Sequence, residues 1–543
     1  MESIHTAQFL FRQKTDIDSV FELLSREYSL HETGCTHLIR HYLDSFDWRL
    51  YRNGYLCGWD ERINTNSLNG NGVFFVHEKK TGDCICELPM DRVPRFSKEI
   101  VYQACRKLLD EMLDVRALMA VATLRIQSRE SLVLNEDNKT LAILQVENYT
   151  VQGQTEEKQL SGRLLVCSIR GYKKVFKHVL RIITERIQLS RASNGLIDEV
   201  FAVSGQNVAP NRFSVIRKFT DTQNTWETVQ ILLRHLLSVM QANEPGMRAA
   251  IDTEFLHDYR VALRRARSVL GQIKHILPNK SLAYFKRELL WLGAVTTPTR
   301  DLDIYLLKFD DYRRQLPMEL QHDLEPFRRF LERHWKIEHA RMCRALDSRR
   351  YQNLIGKWQK IFASEDIHPK HVLSRDTPPT ETCNATKPAR QVASQRIWKL
   401  YKRVLDEGRA ITAQSHDEAL HELRKTCKKL RYLIEFFHDY FSDEQINKRV
   451  RTLRRLQENL GDFQDLCVQL EQLNGFAEQM QQEGIAETKT IMAMGVLVEK
   501  LNERKALVRA EFGQRFKAFS QPEEKSAFAS AFSPRNLLKG TLA

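Results

Sequence analysis

One histidine and four arginines, His257, Arg260, Arg264, Arg265 and Arg267, fall within eleven residues of the stretch HDYRVALRRARSVL. Side chains of these types at this density suit one kind of chemistry. They hold polyanions, because each guanidinium offers a rigid fork of donors to phosphate or carboxylate oxygens and keeps its charge. At 100° per residue, positions 257, 260, 264 and 267 lie within about 80° of one another on a helix. Phe255, Tyr259, Ala262, Leu263, Ala266, Leu270 and Ile273 take the other side. The stretch therefore predicts a helix with one face to bury and a narrow cationic stripe. Like charges three and four residues apart repel by a few tenths of a kcal/mol per pair. A merely solvated face would more naturally mix signs.

The stripe has an echo. A shift of 164 positions sets His257 on His421, Arg260 on Arg424, Arg264 on Lys428, Arg265 on Lys429 and Arg267 on Arg431. Without a gap, Arg287 then falls on Arg451, Asp301 on Asp465 and Glu254 on Glu418, while Leu256, Leu289, Leu292, Leu302 and Leu306 fall on leucines. The second helix, HELRKTCKKLR, keeps Leu423, Cys427, Leu430, Ile434 and Phe437 opposite its cations. We read an internal duplication of an α-helical unit.

The elements that must carry these stripes differ in texture from the rest of the chain. Residues 1–210 hold short apolar, β-branched and aromatic runs, FLFRQK, FFVHEK, LAILQVENYTVQ and GRLLVCSIRGY, broken by helical stretches near 98–118 and 172–190. This reads as α+β. From about residue 221 glycine and proline become sparse. Helical period runs over 223–242, 254–276, 281–296, 300–315, 318–348, 390–411, 416–440, 443–460, 463–482 and 486–518, with Pro278, Pro298 and Pro317 expected between segments. The expected division is an α+β domain over 1–210, a linker over 211–224, and a helical domain over 225–520. That domain divides into halves 225–363 and 390–520 around a proline-rich linker at 364–389, and a tail follows over 521–543.

Charge follows the same boundary. Residues 1–210 carry 27 Lys+Arg and 27 Asp+Glu, so the net charge of +14 belongs to the remainder. A neutral region followed by a basic one implies an anionic partner for the second. No apolar run approaches twenty residues and the N-terminus lacks a signal-peptide pattern, so no membrane insertion is expected. Ten scattered cysteines suggest reduced thiols and a cytoplasmic protein, with Cys84 and Cys86 as strand or loop cysteines rather than zinc ligands.

The motifs HDYRVALRRARS, ELLWLGAVTTPTRDLDIYLL, LHELRKTCKKLRYLIEFF and LQENLGDFQD together resemble the CHAD domain over residues 225 to 515. The resemblance implies two antiparallel helical bundles related by pseudo-twofold symmetry. It also implies binding of inorganic polyphosphate by the histidines and basic residues of the equivalent helices, and association with polyphosphate granules. Carried over by position, the binding set is His257, Arg260, Arg264, Arg265 and Arg267 with His421, Arg424, Lys425, Lys428, Lys429 and Arg431, and Arg287, Arg451, Arg454 and Arg455 could extend it. Polyphosphate carries about one charge per phosphate and has no base to stack, and these stripes are nearly free of aromatic rings. Single-stranded nucleic-acid grooves usually interleave them, which makes nucleic acid the weaker alternative.

The segment HYLDSFDWRLYRNGYLCGWDE (41–61) resembles part of the CYTH domain, an antiparallel β-tunnel that binds triphosphate and often hydrolyses it with a divalent metal. CYTH enzymes open with an E-x-E-x-K strand. Here HTAQFLFRQK has no glutamate, and LLVCSIRGY has no paired carboxylates. A metal mechanism needs such carboxylates. The expectation is a degenerate CYTH-like domain with no catalytic residues, metal or cofactor. The alternative is a triphosphate or polyphosphate hydrolase. For His257 and His421, pairing to Asp301 and Asp465 competes with contact to the ligand. Asp301 and Asp465 are expected to begin helices, Asp301 and Asp303 are not expected to bind metal, and Trp291 is expected in the core.

Overall fold

The computed structural model describes residues 6–11, 13–62, 72–152, 156–192, 195–204, 219–363 and 382–533. Much of the expected linkers at 211–224 and 364–389, and the last ten residues of the expected tail, lie outside them. The chain divides into two compact units, Met1–Arg212 and Phe213–Ala543.

The first unit is built on an antiparallel sheet. Its strands are β1 (Thr6–Phe11), β2 (Ser29–Asp44), β3 (Tyr55–Arg62), β4 (Gly72–Glu78), β5 (Cys84–Met90), β6 (Met119–Leu134), β7 (Thr140–Gln152), β8 (Glu157–Gln159), β9 (Gly162–Ser168) and β10 (Ser190–Arg191). They run in the order β10-β1-β9-β7-β6-β2-β3-β4-β5, with β8 beside β7. Helices α1 (Lys14–Ser25), α2 (Arg49–Arg52), α3 (Gln103–Leu113), α4 (Lys173–Arg181) and α5 (Leu196–Ser204) decorate it. The four strand-like runs read from sequence are β1, β4, β7 and β9. The two longest strands, β2 and β6, escaped that reading: the first half of β2 is polar and exposed almost throughout, and polar side chains fill the alternating exposed positions of β6. One core lies beneath α1 and α4, with Phe9, Val20, Leu144, Leu164 and Ile183 fully buried.

The second unit is helical. It comprises α6 (Thr225–Arg248), α7 (Thr253–Gln272), α8 (Asn279–Leu307), α9 (Phe309–Gln315), α10 (Glu325–Leu346), α11 (Arg349–Trp358), α12 (Ala389–Arg409), α13 (Asp417–Phe436), α14 (Asp443–Gln482), α15 (Thr488–Phe519) and α16 (Pro522–Phe532). The duplication is visible in the boundaries. Shifted by 164, α7 covers α13 end to end, and the first residues of α6 and α8 fall on those of α12 and α14. Each copy packs its helices in sequence, α6 on α7 on α8 on α10, and α12 on α13 on α14 on α15. The copies meet through their equivalents, with α6 against α12 and α7 against α13. This is the contact pattern of a twofold pair, in which the same patch serves both partners.

The predicted apolar faces are in the core: Phe255, Tyr259, Ala262, Leu263, Ala266 and Leu270 on α7 with Ile273 just past its end, and Leu423, Cys427, Leu430 and Ile434 on α13 with Phe437 just past its end, are all buried. Burying one such side chain is worth about 1.5–3 kcal/mol. This packing, rather than local propensity, holds the stripes in place.

Several expectations need correction. Pro298 does not separate two helices but lies inside α8. The turn before it is braced: the Thr297 hydroxyl donates to the Gly293 carbonyl at 2.7 Å, and Arg260 Nη1 donates to the same carbonyl at 3.1 Å. These contacts hold the turn that precedes the proline, where such a residue would otherwise favour a kink. Helix α14 runs unbroken through Gly461, where two segments were expected. The segment 318–348 opens with two short 3₁₀ turns before α10 begins beside Pro326. The expected tail starts as α16, whose Phe528 ring stacks on Tyr401 at 3.9 Å and is fully buried. The described end of the 364–389 linker is tied down: the Thr225 and Trp226 amides donate to the carbonyls of Lys387 and Ala385. Trp291 is only half-buried, with the Arg350 guanidinium 4.3 Å over its ring.

Candidate polyanion-binding site

The N-terminus of α7 is capped by Asp252, whose carboxylate accepts from the amides of Glu254 and Phe255. That cap fixes where the stripe begins. Arg264 and Arg267 on α7 are exposed, whereas His257, Arg260 and Arg265 are half-buried, as are His421, Arg424, Lys425, Lys428, Lys429 and Arg431 on α13.

The two stripes share one field. Burial, then repulsion from Arg424 and Arg264, lowers the Lys428 ammonium to about 8. Burial also lowers Arg424, with repulsion from Arg264 adding to it and Asp465 opposing it. Burial and then Arg264 push the Arg260 guanidinium down to about 10. Arg264 of the first copy thus acts on both Arg424 and Lys428 of the second, and Lys428 is its own counterpart. Among the described residues, Arg264, Arg267, Lys428 and Lys429 form no ion pair. Arg267 reaches across α8 at Gly293, where an added Cβ would stand 3.2 Å from its Nη1.

Other members of the predicted set are engaged. Arg260 Nη1 also donates to the hydroxyls of Thr296 at 2.8 Å and Thr297 at 3.0 Å. Its counterpart Arg424 lacks these threonines and instead reaches Asp465 at 3.3 Å. Arg265 from the first copy and Arg431 from the second meet the same carboxylate, Glu435, at 3.0 and 3.3 Å. Lys425 pairs with Glu422.

The histidines answer to a rule invisible in the one-letter code. His257 Nδ1 lies 3.0 Å from Arg300 Nη2, and His421 Nδ1 meets Gln464 Oε1. Arg300 and Gln464 are the same position in the two copies, each one residue before the expected partner. Asp301 accepts from Gln472 at 3.0 Å, while Asp465 takes Arg424. Asp303 accepts from the Trp335 indole at 2.6 Å, and burial raises its carboxyl to about 7.

The structure does not gather Arg287 into the stripes. It sits with Arg350 around Glu288, at 2.7 and 2.6 Å, roughly 120° round α8 from the Gly293 face. Arg451, Arg454 and Arg455 are exposed on α14, with Arg451 turned back to the Asn447 carbonyl. Residues that sequence reasoning missed are Glu435, Arg300 and Gln464. Their offset of 164 links Arg300 to Gln464, but unlike residue types concealed the pairing.

Glu254, His257 and Asp258, and their counterparts Glu418, His421 and Glu422, bring ligand-type atoms within 4.8 Å of one another. At the first cluster the Arg300 guanidinium already supplies positive charge, 3.8 Å from Glu254. A third such group is His77, Cys84 and Glu87.

In the first unit a cavity of about 710 Å³ is lined by Arg40, Lys79, Arg163 and Arg191 with Glu147 and Asp198. The β1 residues that reach it, Thr6, Ala7 and Gln8, are neutral, and Gln8 accepts from Arg163 at 2.8 Å. Glu147 is bonded by Tyr149, and Asp198 by Tyr51 and Lys79. These residues do not fit a divalent-metal site, which needs converging free carboxylates.

Residues 231–474 match the CHAD domain, so the helical unit carries that domain, as its motifs led us to expect. The chain is similar to the crystal structure of the CHAD domain from the plant Ricinus communis, at 23% identity over 58% of this chain and 97% of that one, with a TM-score of 0.45. It is also similar to PptA from Streptomyces chartreusis, at 17% identity over 54% of this chain and 100% of that one, with a TM-score of 0.42. A Hippeastrum protein described as having a dominant triphosphatase activity aligns at 10% identity over 38% of this chain and 97% of that one, with a TM-score of 0.26. No curated protein matches the chain in sequence. Among the described residues no helix is long and apolar enough to cross a membrane.

Proposed function

We propose that the protein binds inorganic polyphosphate without hydrolysing it, through His257, Arg260, Arg264, Arg265 and Arg267 with His421, Arg424, Lys425, Lys428, Lys429 and Arg431. The observation that carries this reading is the mutual repulsion of Arg264, Arg424 and Lys428 across the two copies. A protein spends stability to hold like charges together, here the half-buried Arg424 and Lys428 beside the exposed Arg264. A bound polyanion returns it, by supplying counter-charge and releasing the small ions it held. Arg264, Arg267, Lys428 and Lys429, which form no ion pair among the described residues, are the groups left to meet phosphate oxygens. Arg260, tied to α8, serves to position the stripe. The CHAD domain supports this reading, and association with polyphosphate granules in the cytoplasm would follow from it. The neutral Thr6 and Gln8 support a non-catalytic first unit.

The test is a titration of the full chain with long-chain polyphosphate over a range of salt. The expected result is an affinity that falls steeply and linearly in log–log form. A flat salt dependence overturns the reading. So does single-stranded RNA that displaces polyphosphate at equal charge concentration, and phosphate release with Mg²⁺ would show the first unit to be an enzyme.

A further inference from the structure

A second open cavity, of about 810 Å³, lies in the first unit, away from the cationic cavity above. Its lining includes Cys35 and His37 on β2, Arg125, Gln127 and Arg129 on β6, and Asn148 on β7. A bulge between Glu32 and Gly34, with Gly34 at φ 149°, precedes this part of β2. Bulges re-aim the side chains that follow them. Beyond it, Cys35 Sγ lies 3.7 Å from His37 Nε2, and the Gln127 amide donates to the same sulfur at 3.8 Å. A thiol with a base and a donor at once in reach has the parts of an activated nucleophile.

The surroundings select what it would attack. Arg125 and Arg129 line the same cavity, paired to Glu157 at 3.0 Å and Glu32 at 3.7 Å. Both pairs are largely exposed, so a ligand carboxylate can replace either partner at little cost. The other two exposed thiols differ in setting. Cys84 also has a histidine, His77, within 4.8 Å, but Glu87 shares that space, and burial and that carboxylate raise its thiol. Cys383 lies beside the Asn384 amide oxygen, 4.0 Å away.

We propose that Cys35 is a thiol–disulfide exchange site for small anionic disulfides. His37 takes the thiol proton. The sulfur then attacks one sulfur of the disulfide, a new S–S bond forms, and the old one breaks to release the other half as a thiolate. Cys35 is oxidised and the departing sulfur is reduced, so no further oxidant is needed. Arg125 and Arg129 hold the carboxylates of the incoming disulfide. This site stands apart from the polyphosphate reading and does not depend on it.

The experiment exposes the full chain to oxidised glutathione and, separately, to the neutral hydroxyethyl disulfide, with adducts mapped by peptide mass spectrometry. Cys35 should be modified at least about tenfold faster than Cys383 and Cys84 in the same molecule. His37→Gln should slow Cys35 with both reagents. The double variant Arg125→Ala, Arg129→Ala should slow it with glutathione alone. Equal rates at Cys35 and Cys383 in the unaltered chain would overturn the proposal, whatever the variants do. An unchanged rate in a folded His37→Gln protein would remove the base. Equal slowing of both reagents by the arginine variant would remove the preference for anions.

Discussion

The Tyr305 hydroxyl donates to the backbone carbonyl of Gln469 at 3.0 Å, and the two residues are the same position in the two copies. A position that touches its own counterpart marks the axis relating the halves. Both residues are buried. Tyr305→Phe should therefore loosen one half from the other. The expected cost is about 0.5–1.5 kcal/mol, the net worth of one buried hydrogen bond, because the Gln469 carbonyl keeps its donor within the helix. Urea unfolding would read it, and an unchanged midpoint would show that the halves are held by apolar packing alone.

Lys428 gives the binding a pH signature. Its ammonium is lowered to about 8 by burial, Arg424 and Arg264. Phosphate binds the charged form, so the Lys428 contribution to affinity should be lost as pH rises through 8. Stability of the free protein should move the other way. The folded pKa lies below the unfolded one, so between about 8 and 10.5 the unfolded chain binds more protons and stability rises with pH. Lys428→Arg should abolish the loss of affinity, since guanidinium stays charged throughout.

Arg264 and Lys428 are expected to separate binding from folding. Reversing both to glutamate should weaken polyphosphate binding at least about 100-fold, equivalent to roughly 3 kcal/mol. It should leave the helical circular-dichroism signal intact, because neither residue is ion-paired among the described residues and each repels its neighbours. Collapse of the fold would show that the stripe is structural.

Arg260→Ala should behave in the opposite sense. Its guanidinium serves Gly293, Thr296 and Thr297 beside Pro298, so the loss should appear first as about 1–2 kcal/mol of stability. The same change at Arg424, which has only Asp465, should cost less in unfolding experiments.

Glu435→Gln should strengthen binding. It removes the one carboxylate shared by Arg265 and Arg431 and leaves both cations for the ligand. Polyphosphate affinity should rise several-fold and its salt dependence steepen by about one unit, in line with an added phosphate contact. A drop in affinity would mean that Glu435 holds the two arginines in their binding pose.

The apolar faces of α7 and α13 were legible because a 3.6-residue period is a direct consequence of burying one side of a helix. The duplication was legible because histidine and arginine recur at a fixed offset. Continuity of α8 through Pro298 was not, since one of the two side chains that hold the turn before it, Arg260, comes from α7, thirty-odd residues away. Glu435 went unnoticed for a similar reason: it lies past the stripe on α13 and finds Arg265 only because α7 packs beside it. The strands β2 and β6 were hidden by their polar faces. Pattern reveals what a segment does with its own neighbours, and tertiary partners are written elsewhere in the chain.

Two separate subunits joined about the Tyr305–Gln469 axis would lose their common cationic face on dilution. Here both halves lie on one polypeptide, and a tether fixes their effective concentration whatever the abundance of the protein. It also frees each half to change alone. A homodimer must carry every substitution twice, but this chain has Arg300 where its counterpart has Gln464, Arg264 against Lys428, and Pro298 against Asp462. Covalent union has let a symmetric framework acquire a direction, with a guanidinium-rich end and a lysine-rich end to the same bed.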